Sequence, residues 1–105
     1  MNIEIEKPRE GYLYIFDREI LPTIFENIII LDKITIKADA YSEDGINRVE
    51  FCIDDELRYV DEDTPFEWLW NEKAFGTHEI KVIAYDVSEN KAEDKINVII
   101  FNFGG

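Results

Sequence analysis

Apolar and polar residues alternate along most of this chain with a period of two rather than 3.6, which predicts strands, not helices. In ITIKADA, Ile34, Ile36, Ala38 and Ala40 share one face, and Thr35, Lys37 and Asp39 share the other. In VEFCID, Val49, Phe51 and Ile53 oppose Glu50, Cys52 and Asp54. FEWLW sets Phe66, Trp68 and Trp70 against Glu67 and Leu69. HEIKVIAYD points Ile80, Val82 and Ala84 inward, and INVIIF does the same with Ile96, Val98 and Ile100. Leu57 to Val60 reads as one more short strand. The predicted core is Val49, Phe51, Ile53, Trp68, Trp70, Ile80, Val82, Ala84, Ile96 and Val98.

Polar clusters separate these runs: Glu43-Asp44-Gly45, Asp54-Asp55-Glu56, Asp63-Thr64-Pro65, Phe75-Gly76-Thr77 and Ser88-Glu89-Asn90. Each carries the Gly, Pro, Asn or Asp that turns favour. Short strands recurring every 8–12 residues predict an all-β antiparallel sandwich or barrel. The best place for a single turn of helix is Asn71 to Phe75, before Gly76. The N-terminal third is less regular. IEIEKP is a strand stopped by Pro8, GYLYIFD is strand-like, REILPTIFEN is a connector containing Pro22, and IIIL at Ile28 to Leu31 leads into Ile34. An edge strand, an extra ribbon or wandering segment, and then the first central strand are expected.

Length and composition narrow this further. The 105 residues fit one domain. It is read as residues 1–103, with an irregular strand and connector over 1–31 and a core sandwich over 32–103. Gly104-Gly105 reads as a linker or a cut edge. With 46% apolar and 13% aromatic residues there is enough to build a core, so the charge does not signal disorder. The net charge of −13 comes from 24 acidic against 11 basic residues. Such a surface repels phosphate backbones and anionic lipid, which argues against nucleic acid as a partner, and it suits divalent cations or basic partners. No apolar run approaches the roughly 20 residues that span a bilayer, so no membrane insertion is expected. Five acidic residues within positions 1–20 argue against a signal peptide, so the targeting signal of an exported parent would lie elsewhere. One cysteine, Cys52, precludes an internal disulfide.

From Ile34 onward the chain resembles the bacterial-type immunoglobulin-like domains found in tandem in archaeal and bacterial surface and secreted proteins. The residues that carry the likeness begin with Ala38 and Ala40 near a strand end, the Asp44-Gly45-Ile46 turn, and the strand holding Val49, Glu50, Phe51, Ile53 and Asp54. Pro65, Phe66, Trp68 and Trp70 follow, then Gly76 and His78, then Ala84-Tyr85-Asp86, and Asn90 in the last turn. Cys52, Asp55 and Glu89 depart from that pattern, standing where an aromatic and two glycines are usual. The resemblance implies an immunoglobulin-like β-sandwich of about seven strands and a family of mainly non-catalytic modules.

Candidate chemistry is sparse. Asp54-Asp55-Glu56 and Asp61-Glu62-Asp63 sit at the two ends of one predicted strand. Seven residues at about 3.3 Å each put them roughly 20 Å apart, too far to share a metal ion or act as a glycosidase pair. They read as solvated turns. Asp86 and Asn90, with Asp44 or Asp39 as a further oxygen donor, are the calcium candidates, although Asx hydrogen bonds to the turn backbone explain the same residues. His78, the only histidine, cannot build a zinc site with one cysteine. Neither Ser42 nor Ser88 lies in a nucleophile elbow. Acidic surroundings raise rather than lower the Cys52 thiol pKa. No catalytic residue and no cofactor is expected, calcium being the single candidate. Tyr12, Tyr14 and Phe16 share one face of the second strand. Exposed, they would offer a strip for sugar or a neighbouring domain; burial under the Arg18 to Leu31 connector is the alternative.

The expected role is a non-catalytic structural, adhesion or spacer module of a larger secreted or cell-surface protein. Its expected partners are neighbouring domains of the same parent, or a protein or glycan. The rival is a carbohydrate-binding accessory module of a secreted hydrolase, which requires a flat exposed aromatic row.

Overall fold

The computed structural model describes residues 1–104. Gly105, read above as linker together with Gly104, lies outside the described residues. Ten strands are present: β1 (Asn2–Lys7), β2 (Tyr12–Ile15), β3 (Arg18–Pro22), β4 (Ile29–Leu31), β5 (Ile34–Tyr41), β6 (Ile46–Ile53), β7 (Glu56–Asp61), β8 (Phe66–Trp70), β9 (Ala74–Asp86) and β10 (Lys91–Asn102). They form a three-stranded sheet, β1-β5-β8, facing a seven-stranded sheet, β3-β2-β4-β10-β9-β6-β7. The result is an all-β sandwich with ten strands rather than seven.

The surplus lies in the N-terminal third. The first strand is split between the sheets: β1 pairs antiparallel with β5 in the small sheet, while β4 pairs parallel with β10 in the large one. Between them β2 and β3 form a hairpin, and β2 joins the large sheet by pairing parallel with β4. The expected extra ribbon is therefore this hairpin. The expected connector over Arg18–Asn27 is half wrong, because Arg18–Pro22 is a strand at the edge of the large sheet. All five of its residues are exposed, so no alternation marks it.

The core forms where the alternation predicted it. Val49, Phe51, Ile53, Trp70, Ile80, Val82, Ala84 and Val98 are buried between the sheets, joined by Ile5, Tyr14, Ile30, Ile34, Ile36 and Ile100. Trp68 and Ile96 are only half-buried against that core. Trp68 lies on β8, an edge strand of the small sheet, where one flank of a side chain is left uncovered. Ile96 precedes the stretch of β10, Ile99 to Phe101, that β4 covers.

No helical turn forms at Asn71–Phe75. Trp70 and Ala74 are both buried, so the intervening three residues are drawn tight as a link and Ala74 opens β9. Phe75-Gly76-Thr77 is likewise no turn. β9 runs through it in unbroken register with β10, and Gly76 absorbs the bend at a φ of 90°.

Candidate functional site

The strand-end carboxylates are wired to the fold. Asp54 and Asp55 occupy the two-residue turn from β6 to β7 with φ of 51° and 67°, the geometry of a type I′ hairpin turn. Asp54 accepts the Glu79 backbone N–H at 2.9 Å and pairs with His78 Nδ1 at 2.5 Å. The Glu79 hydrogen bond is the main reason its carboxyl lies below the ordinary range, with His78 adding to it. Asp55 pairs with Lys81, and that hydrogen bond holds its pKa down as well. His78 Nε2 lies 3.3 Å from the Phe75 carbonyl, so both ring nitrogens are engaged in structure. At the other end of β7, Asp61 accepts the backbone N–H groups of Asp63 and Glu67, both at 3.1 Å. Four residues of β7, Leu57 to Val60, stand between the two clusters.

Asp86 is the most elaborately bonded carboxylate. It ends β9, is 2% exposed, and accepts hydrogen bonds from the backbone N–H groups of Ser88 and Asn90, both at 2.9 Å. Asn90 Nδ2 donates to it at 3.1 Å and Ser42 Oγ at 3.0 Å. Burial raises the Asp86 pKa, but the hydrogen bonds from Asn90, Ser42 and Ser88 outweigh it, and the net direction is down. Four donors are thus already engaged by the Asp86 carboxylate. Asp44 is exposed and borders the same open cleft, together with Asp86, Asn90 and Tyr41. Asp39 does not border it; it faces a separate cleft with Glu4 and Asp94. No group of three or more His, Cys, Asp or Glu side chains among the described residues is placed to hold a metal ion.

The thiol of Cys52 is buried, and burial first, then Glu50, pushes its pKa up. Ser42 serves Asp86 and caps the Asp44 N–H at 3.2 Å. No nucleophile–base pair is assembled from these groups.

Tyr12, Tyr14 and Phe16 do not form one exposed strip. Tyr14 is buried, with its hydroxyl donating to Glu19 at 2.9 Å and accepting the Arg9 backbone N–H at 2.9 Å. Tyr12 is half-buried beneath the Arg9 guanidinium, 4.3 Å above its ring. Phe16 is exposed, but it stands in the β2–β3 turn with a φ of 47°. Exposed aromatics that sequence reasoning missed include Phe75, Phe101 and Phe103, beside Phe25, Tyr41 and Tyr59. Of these, Phe101 alone had a signal in the sequence, in VIIF at 98–101, an unbroken apolar run that fills both faces of a strand.

Among known proteins, the family model described as "Bacterial Ig domain" matches residues 26–82, more than half of the chain. The structure is similar to the fibronectin(III)-like modules of Clostridium thermocellum CbhA, with a TM-score of 0.72 and 24% identity. That likeness covers 97% of this chain and 99% of that one, and it speaks to the fold alone. No curated protein matches.

Proposed function

Since this chain belongs to the bacterial Ig domain family, we propose that it is a non-catalytic spacer or adhesion module of a larger secreted or surface-anchored protein. The carrying observation is where its ends lie. Asn2 pairs with Tyr41 at the pole that holds Asp86, whereas Asn102 pairs with Ala74 at the opposite end of β9. The molecule extends 39 Å along its longest axis and 20 Å across its shortest. A chain entering at one pole and leaving at the other lets copies or neighbours follow end to end, so each adds length rather than bulk. Two further observations support the reading. Asp54, Asp55, Asp61 and Asp86 are engaged in turns and ion pairs, and the clefts are open and polar rather than enclosed and apolar as ligand sites are.

Force spectroscopy on a concatemer of this chain tests the role directly. Each module should unfold in one step. The step should release about 340 Å, the length of an extended chain at about 3.6 Å per residue less the folded span. Gradual extension without steps would remove the mechanical reading. Affinity electrophoresis through soluble glucans and depletion on insoluble polysaccharide test the rival; saturable binding there would replace the spacer with a carbohydrate-binding module.

A further inference from the structure

The outward face of the seven-stranded sheet has two unlike halves. Toward the Asp86 pole it carries ion pairs, with Arg48 on Glu50 at 3.1 Å and Lys81 between Asp55 and Glu93, beside Tyr85, Ile83 and Val60. Toward the other pole they are apolar. Strand register lines up Ile15, Leu31, Phe101 and Phe75 across β2, β4, β10 and β9. One step along the same face, Leu21, Leu13, Ile29 and Ile99 line up across β3, β2, β4 and β10. The Phe103 ring stands edge-on to Phe75 with centroids 5.0 Å apart, which extends the patch and breaks up any flat platform for a sugar. These two rows end on Arg18 and Thr77, and no carboxylate lies in either, in a chain with 24 acidic residues.

The area is that of half an interface. Phe75, Phe101 and Phe103 are 45%, 40% and 80% exposed, and Leu21 and Leu31 are 50% and 36% exposed. At roughly 200 Å² for a phenylalanine and somewhat less for a leucine, these five leave on the order of 500 Å² of apolar surface. A monomer's largest patch runs to about 600 Å² and is often functional. A stable complex buries about 800 Å² per partner, roughly 60% of it apolar, so the patch supplies the apolar share of one side. Charge selects the occupant. The cations at the patch, Arg18 and Lys73 (5.9 Å above the Phe75 ring), disfavour a basic partner. The net charge of −13 disfavours an anionic membrane. Two copies meeting at these two rows set no carboxylate of one row against a carboxylate of the other.

We propose that this face is a self-association surface, through which two copies of the chain pack sheet to sheet about a two-fold axis centred near Phe101. The association is lateral and stands whether or not the module is a spacer. Sedimentation equilibrium of the whole chain from about 10 µM to about 1 mM, a span bracketing weak and moderate complexes, should show mass rising from 12.4 kDa toward twice that value. Raising salt should tighten the dimer, because screening removes the repulsion between two acidic bodies and leaves apolar contact intact. Phe101→Glu should weaken association at least tenfold, and Phe75→Glu should do the same, with circular dichroism melts showing both still folded. Leu69→Glu, on the outward face of the small sheet, should leave it unchanged. A monomer at every concentration and salt would overturn the proposal. So would a Phe101→Glu protein that still dimerises, as pairing through the free edge of β3 would allow, or equal loss with Leu69→Glu.

Discussion

Asp86 illustrates how one residue settles between ligand and strut. Four donors already converge on its carboxylate, so millimolar calcium should leave the melting temperature unchanged, and chelator likewise. A rise with calcium that chelator reverses would show instead that the loop opens to bind metal. Asp86→Ala strands two backbone N–H groups and should lower the melting temperature by about 5 °C or more. Gly76 tests the backbone alone. Its φ of 90° disfavours any side chain, yet nothing lies within 4 Å of where a Cβ would stand. Gly76→Ala should therefore destabilise by about 1–2 kcal/mol through conformation, with no clash. Chemical denaturation measures it; an unchanged midpoint would mean that β9 relaxes locally.

At the scale of elements, the inserted β2–β3 hairpin is held by polar anchors more than by burial of β3. Asp17 in its turn accepts the Thr35 N–H at 2.6 Å and meets Lys7 Nζ at 2.9 Å, while Tyr14 carries the hydroxyl link to Arg9 and Glu19. Tyr14→Phe keeps the buried ring and deletes that link, leaving the Arg9 N–H without its partner, at a cost of about 1–2 kcal/mol. Hydrogen exchange should quicken in β2 and β3 more than in β9, since the lost bond is local. Uniform acceleration would mean that the hairpin unfolds only with the whole domain. The same hairpin marks the limit of sequence reading. β5, β6, β8, β9 and β10 were legible because one face of each meets the core and the other meets water. β3 was not, because an edge strand exposed on both faces has no alternation to read. Period-two pattern also tells which way a side chain points but not how near the sheet edge it lies, so Trp68 and Ile96 came out half-buried. The candidate sites divide similarly. The Asp86–Asn90 spacing announced a polar turn, but spacing could not say whether its oxygens face a metal or the chain. The Phe75–Phe101 row was hidden, because it depends on register between strands far apart in sequence.

For the molecule as a whole, two electrostatic effects oppose each other as pH falls. Protonation relieves the self-repulsion of a chain with charge −13 and pI about 4.3. It also discharges carboxylates that the fold holds in the ionised form. Asp17, Glu19, Asp54, Asp55 and Asp86 all lie below their ordinary values of 3.8 or 4.5. For Asp17 and Asp86 burial pulls upward and hydrogen bonds prevail; for Glu19 the Arg9 hydrogen bond leads. A depressed folded pKa means that the unfolded chain takes up the proton first. The stabilisation is therefore complete above about pH 4.5 and is lost as pH falls through the folded values. The repulsive effect is the weaker of the two at physiological salt, because charges more than about 8 Å apart are largely screened there. The melting temperature should hold level or rise slightly from pH 7 to about 5, then drop steeply below about 4.5. At low salt the rise on the neutral side should grow, since the repulsion being relieved is then larger. Thermal melts from pH 7 to 3 at two ionic strengths decide the matter, and a melting temperature still climbing at pH 3 would mean that repulsion, not the wired carboxylates, governs the stability of this sandwich.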